Sequence, residues 1–281
     1  MRLTGGAVTG WASLRMHGGT FFDGLHRDGA TPLPVPLTCS LLHKIRPAAG
    51  GELHHDYLDD NEIVTIRGVP CTTAERATFD AMRFAGDVRS AVVTLDMAAA
   101  AEITSIRRMR EYVDTHPART GVQQCRDALP LADEWSRSPQ ETRLRLVWQL
   151  DAARPRPRAN RPIFGMDGRL LGYPDLLDPK NHVVGEYDGD DHRAPLRHSA
   201  DVDREAVFRD HGLEVFRVTG PDLRARNRLV DRIQSSYRRA REAPVRRTWT
   251  LQPPPWWPVE LSLDERLAAR DLREKPYNAV S

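Results

Sequence analysis

Apolar stretches and turn residues alternate in the second half of the chain in an order that reads as helix, three strands, helix, strand, helix. The segment Ser138-Pro139-Gln140-Glu141 supplies an N-cap hydroxyl, a proline at the first helical position and an acid three residues after the cap, so a helix is predicted to start there. Leu144, Val147, Trp148 and Leu150 give that helix an apolar side. The proline- and arginine-rich run that follows breaks it, and Ile163 to Met166 reads as a short strand turning at Asp167-Gly168. A second hairpin is predicted from Gly172 onward: an apolar run ends at Asp178-Pro179-Lys180-Asn181, and Val183-Val184 begins the return strand. If Asp178 pairs with Val183, antiparallel register places Asp175 opposite Glu186. Side chains alternate across a strand, so Asp188 is expected on the Glu186 face, with Val183, Gly185 and Tyr187 on the other. Three carboxylates are therefore expected on one surface. Beyond them, a helix from about Ser199 to His211 ends at Gly212, Leu213 to Val218 reads as a buried strand, and a last helix runs from Asp222 to about Arg241. The helical crossover lets the Leu213 strand join the sheet in parallel after an antiparallel meander of three. The fold class this predicts is α/β.

The first half carries a different pattern and reads as a smaller mixed α+β domain over residues 1–132. Thr9 caps a short helix that stops at Gly18-Gly19. The prolines of Thr31 to Cys39 exclude helix and restrict the segment to extended chain or an edge strand. Residues 52–70 suggest short strands around turns. Thr72 with Glu75 three residues on forms a capping-box start for the next helix. Helical patterning continues over 88–101, 104–114 and, less regularly, 120–129. His54 and His55 are adjacent and point to opposite faces of a strand, which argues against a shared metal. No cluster of acids, nucleophile or phosphate-binding glycine loop is legible in this half. Residues 243–281 form a C-terminal extension in which three prolines and the pair Trp256-Trp257 are expected to cover an apolar face.

Composition changes this picture little. The chain has 281 residues, 40% of them hydrophobic and 28% charged, with a formal net charge of only +2, so overall charge does not by itself point to nucleic acid. The surplus is C-terminal, and all but Lys44, Lys180 and Lys275 of the basic residues are arginine. Cys39, Cys71 and Cys125 are odd in number and lack paired spacing, which argues against a disulfide framework and a structural zinc site. The longest apolar runs, such as Met97 to Ala101, fall far below the roughly 18 residues of a membrane helix. The N-terminus lacks the apolar core of a signal peptide, so a cytoplasmic protein without membrane partners is expected.

Carboxylates facing each other across a strand pair repel, and such a cluster calls for something positive. Mg²⁺, which takes one or two carboxylates and fills its other positions with water and phosphate oxygens, is one candidate. A neighbouring arginine at a solvated strand edge is the other.

The motifs carry a resemblance. Pro174-Asp175 on the second strand, Glu186-x-Asp188 on the third, the segment Asp188-Gly189-Asp190-Asp191-His192, Asp201 with Arg204 on the next helix and the strand Leu213 to Val218 resemble the PD-(D/E)XK superfamily of restriction-endonuclease-like proteins. The branch it looks like is the one akin to very-short-patch-repair endonucleases, and the match covers about residues 136–242. The resemblance implies an α-β-β-β-α-β-α core and a site for Mg²⁺ (or Mn²⁺) in which Asp175, Glu186 and the carbonyl of Tyr187 are ligands. It further implies that Glu141 matches an acid contributed by the first helix and that His192 lies near the scissile phosphate. The family's lysine is replaced by Asp188, so His192 or Arg204 would have to take its place, or Asp188 would hold a second metal. The arginines after Leu150, namely Arg154, Arg156 and Arg158, together with Arg204, are expected to meet DNA phosphates.

The first half is similar, more faintly, to the antitoxin-like module of AbiEi-type proteins, through Trp11 to Gly18 and Gly68 to Asp80. That module usually follows a winged helix, which is not visible here. Two functions are thus expected in order: a metal-dependent endonuclease acting on DNA, or a catalytically degenerate DNA-binding or antitoxin-like regulator with a toxin-antitoxin or repair partner.

Overall fold

Two units divide the chain: Met1–Glu134 together with Leu261–Ser281, and Trp135–Glu260. A computed structural model describes residues 6–26, 28–41, 49–189, 205–243 and 247–274. Each unit combines helices with mixed sheets, so the α/β expectation holds at that level.

In the first unit, β1 (Gly6–Val8), α1 (Gly10–Met16), β2 (Val35–Cys39), β3 (Gly51–His55), β4 (Ile63–Ile66) and β5 (Val69–Thr72) precede α2 (Ala74–Phe84), α3 (Val88–Ala100), α4 (Ile106–Thr115) and α5 (Val122–Ala128). The five strands form one sheet in the order β3-β2-β1-β5-β4. The proline-bearing β2 is therefore an inner strand and not an edge. Pro36 is tolerated because β1 stops pairing at Leu37, leaving β3 alongside, while the Pro36 carbonyl accepts from Thr9 N at 2.9 Å. Thr72 ends β5 instead of capping α2, and Thr73 takes the N-cap position. The Thr72 hydroxyl lies 3.0 Å from that of Thr9, which itself donates to Asp80 at 2.5 Å.

That contact belongs to a buried ionic cluster. Arg76 and Asp80 are fully buried and Glu62 is nearly so. The Arg76 guanidinium reaches Asp56 at 2.9 Å, Glu62 at 3.2 Å and Asp80 at 2.9 Å. Arg83 bridges Asp56 and Asp80, Arg119 pairs with Glu62 at 2.7 Å, and the Tyr112 hydroxyl donates to Glu62 at 2.5 Å. Three arginines thus meet three carboxylates in low dielectric, and Arg76 and Arg119 each also donate to the Tyr57 carbonyl, while Arg83 donates to that of Thr120. The sequence reading of this half as lacking any acid cluster is corrected here. The terminal helix Leu263–Glu274 belongs to the same unit, packing Leu263 and Leu267 on Ala99 and pairing Asp271 with Arg108.

The second unit begins with α6 (Pro139–Leu146), whose cap Ser138 accepts from Glu141 N, and continues through a π-helical turn over Val147–Asp151. Then come β6 (Arg158–Ala159), β7 (Ile163–Gly165), β8 (Leu170–Gly172), β9 (Leu176–Asp178) and β10 (Val183–Tyr187). Residues 205–210 are helical (α7), followed by β11 (Glu214–Val218), α8 (Gly220–Arg224), α9 (Arg226–Glu242) and β12 (Trp249–Thr250). The expected last helix is therefore interrupted near Ala225.

The meander is also split. β11-β10-β9-β6 form one sheet and β12-β7-β8 another, so the Ile163 strand pairs with the C-terminal Trp249-Thr250 and not with the Asp175 hairpin. β11 does run parallel to β10, as the crossover requires. The four-stranded sheet is covered on both faces. Leu176, Val183, Phe216 and Val218 pack with Trp148, Leu229, Ile233 and Tyr237 on one side, and Leu177, Val184 and Val215 pack with Ile163, Phe208 and Leu213 on the other. Burial on both faces explains why β10 reads as an unbroken apolar run until its polar end. Gly185 allows the closest approach: a Cβ there would lie 2.8 Å from ring atoms of both Phe216 and Trp148. Of the two tail tryptophans, Trp257 meets Phe164 edge-on at 4.9 Å, whereas Trp256 stays 65% exposed.

Candidate functional site

Register comes first. Val183 pairs with Asp178, Val184 with Leu177 and Gly185 with Leu176, which is the register the turn predicts. It is set by Asp178, a 2%-exposed carboxylate that accepts from Lys180 N, Asn181 N, Asn181 Nδ2 and the Tyr237 hydroxyl. Such an Asx-type turn holds the hairpin at its root, while His182 takes a left-handed φ of 59° to return the chain.

One step beyond the paired residues, the register brings Asp175 opposite Glu186. Asp175 Oδ2 accepts from the Tyr187 N–H at 2.7 Å, so this carboxylate, not a backbone carbonyl, closes the end of the β9–β10 ladder. Alternation puts Glu186 on the face of Val184 and Leu177, with Tyr187 turned toward the Trp148 core. Glu186 is 7% exposed.

Glu141 is tied in through a residue the sequence did not single out. Asn160 Nδ2 donates to Glu141 Oε2 at 2.7 Å and to the Trp135 carbonyl at 2.8 Å, and its backbone N–H donates to the Asp175 carbonyl at 3.0 Å. Asn160 sits at a φ of 47°, a conformation asparagine adopts more readily than most residues. Glu141 Oε2 also accepts from Arg137 N at 2.9 Å. The helix acid is thus braced one residue before the expected capping-box partner.

Asp188 departs from the expected triad. It lies past the end of β10, its N–H bound to the Val218 carbonyl, and its carboxylate is 3.6 Å from Arg217. Among the described residues, no three His, Cys, Asp or Glu side chains gather closely enough to hold a metal ion. Arg217 is the second residue missed in the sequence. It stands beside Glu186 in register on β11 and also pairs with Glu205 at 2.7 Å. A cation therefore already neighbours the acids.

The remaining predicted residues disperse. Arg154 lies against the Tyr237 ring, 4.4 Å from its centroid, and donates to Gln234. Arg158 is exposed on edge strand β6 opposite Leu177, and Arg156 is exposed on the preceding loop. Arg154 stands at the turn end of the hairpin, whereas Arg158, opposite Leu177, is on the sheet face that Asp175 and Glu186 share. His192, Asp201 and Arg204 lie outside the described residues.

The donor set at the end of β9 and β10 consists of oxygens alone. Two carboxylates and the neighbouring Tyr187 carbonyl suit a hard divalent cation such as Mg²⁺, which asks for few protein ligands, and they would not suit a soft metal.

No protein-family model matches the chain, and no solved structure matches it. The curated relatives it matches include uncharacterized proteins of Mycobacterium tuberculosis strains CDC 1551 / Oshkosh and ATCC 25618 / H37Rv, each 29% identical over 155 residues. The match covers 54% of this chain and 56% of each relative, so the chain spans about half the length of the curated relatives it matches.

Proposed function

We propose that the unit Trp135–Glu260 is a restriction-endonuclease-like domain that hydrolyses phosphodiester bonds of DNA with Mg²⁺ or Mn²⁺. The observation that carries this reading is the placement of Asp175 on the Tyr187 peptide, in register with Glu186. Asp175 and Glu186 would hold the cation, with the Tyr187 carbonyl as a third oxygen. Bound there, the cation would lower the pKa of a water and offset charge developing on the phosphate. The chain's own contribution is orientation. The Tyr187 N–H fixes the Asp175 carboxylate, Asn160 couples Glu141 to the Asp175 backbone, and Arg217 supplies positive charge beside Glu186.

Calorimetric titration with Mn²⁺ and plasmid cleavage test it together. Wild type binds one ion and nicks plasmid, while Asp175→Ala and Glu186→Ala do neither; cleavage surviving in both variants removes the reading. One observation favours the alternative, a non-cleaving DNA-binding or antitoxin-like regulator: Asp188 stands where the family's lysine would be and faces Arg217. That alternative predicts salt-sensitive DNA binding without cleavage under any divalent metal.

A further inference from the structure

The turn that joins β9 to β10 floors a second concavity, at the end of the strands away from Asp175 and Glu186. It encloses about 380 Å³ and is lined by Arg154, Lys180, His182, Arg238, Arg241 and Arg247 among others. Five of those six are permanent cations, and among the described residues no acidic side chain lines the space. The described arginines nearby behave differently: on the same helix α9, Arg232 pairs with Asp222 at 2.8 Å and Arg239 with Glu214 at 2.6 Å. By contrast, Arg238 finds only the neutral Ser235 hydroxyl, and Arg154 is held by Gln234 and the Tyr237 ring.

Self-repulsion makes such a cluster unfavourable unless an anion completes it. His182 sits on the floor of the cavity. His182 has both ring nitrogens buried without a hydrogen-bond partner among the described residues, and its pKa is lowered to about 4 by burial and by Arg247. The polar lining and the modest size suit a phosphate with its sugar better than an apolar ligand.

We propose that this cavity binds a phosphate group, carried on a nucleic-acid strand, and anchors the strand whose reacting bond lies at the other end of β10. The assignment of the strand rests on the proposed function; the phosphate chemistry does not. Four residue steps separate His182 from Glu186, about 13 Å at the rise of a strand. Phosphates on one DNA strand recur at about 3.4 Å along the axis, so the anchored and reacting groups would be about four nucleotides apart. Arg238, Arg241 and Lys180 donate to the phosphate oxygens, and Arg247 closes the site beside His182.

Fluorescence anisotropy of a short duplex, titrated in EDTA over a salt series with the full chain, reads this cavity without the acid pair. Lys180→Gln and Arg241→Gln remove exposed cations and leave no buried group unpaired, and a melting temperature no lower than that of wild type verifies their folding. Each is expected to weaken binding about three- to tenfold and to lower the slope of log K against log salt by about 1. Identical affinity and slope in wild type and both charge variants overturn the cavity assignment, whatever the Mn²⁺ titration gives. Thermal protection by inorganic phosphate, lost in both charge variants and unaccompanied by duplex binding, upholds the phosphate site and overturns the nucleic-acid strand as its source. Normal duplex binding without Mn²⁺ binding upholds the cavity and removes the cleavage reading alone.

Discussion

The Tyr237 hydroxyl donates to Asp178 Oδ2 at 2.6 Å while accepting from Trp148 Nε1 at 2.9 Å. This buried chain runs from the core helix through α9 to the root of the hairpin that carries both candidate ligands. Burial and the Asp178 carboxylate push the Tyr237 phenol well above its usual range, so the hydroxyl keeps its proton at any ordinary pH.

Tyr237→Phe removes the middle of that chain. It leaves Trp148 Nε1 without its acceptor and takes one of four donors from Asp178. A loss of about 1–3 kcal/mol is expected in urea unfolding, because an unsatisfied buried donor costs its desolvation. The hairpin register acts on the acid pair, so Mn²⁺ affinity should fall as well. An unfolding midpoint equal to wild type would mean that the turn holds without α9.

Asn160 is the link between helix and strand acids. Asn160→Ala loses two side-chain hydrogen bonds and puts an alanine at a φ of 47°, so both effects destabilise. Asn160→Gly keeps the backbone unstrained and isolates the hydrogen bonds. Both variants should weaken Mn²⁺ binding, with the glycine variant melting higher than the alanine one. Metal affinity equal to wild type in both would show that Glu141 is held without help from Asn160.

The ionic cluster of the first unit yields a separate test. Arg76→Met removes the cation shared by Asp56, Glu62 and Asp80 and leaves only Arg83 and Arg119 to balance three carboxylates, a loss of about 3–5 kcal/mol. Because the cluster is buried, added salt should change that loss little, unlike the surface pair Arg107 and Glu111. A cost below about 1 kcal/mol, or one erased by molar salt, would show that the cluster is solvated.

What the sequence made legible follows from what is local. The Asp178-Pro179-Lys180-Asn181 turn encodes its own register, so the relation of Asp175 to Glu186 could be read without tertiary information. Ile163–Gly165 pairs locally with Leu170–Gly172 across the Asp167-Gly168 turn, but its second partner could not be read, since it is Trp249-Thr250, some 85 positions on. Nor could the cluster around Arg76, where Arg119 meets Glu62 across 57 positions and each residue alone reads as a solvated charge. Asn160 was hidden for a different reason: its role comes from a left-handed backbone that no residue pattern announces. Alternation predicts the side of Asp188, but the residue lies past the end of β10, and its partner Arg217 comes from a strand whose alignment only the fold supplies.

His182 gives stability a dependence on pH with a defined sign. Its pKa is lowered to about 4, first by burial and then by Arg247, with Asp178 opposing; Trp249 adds only a ring edge at 5.8 Å. An unfolded histidine titrates near 6.5, so between that value and about 4 the unfolded chain binds a proton that the native chain refuses. The contribution is therefore fully present above about 6.5 and is lost progressively as pH falls toward 4. His182→Asn keeps a residue suited to a φ of 59° and deletes the titration. Urea midpoints measured from pH 7 to pH 4.5 should fall more steeply for wild type than for the variant, because the carboxylates common to both cancel in the comparison. Saturating phosphate should narrow the difference, since an anion beside Arg247 lets the ring accept its proton in the folded state. Parallel midpoint curves for the two proteins, with and without phosphate, would show that the ring is already free to ionise in the native structure.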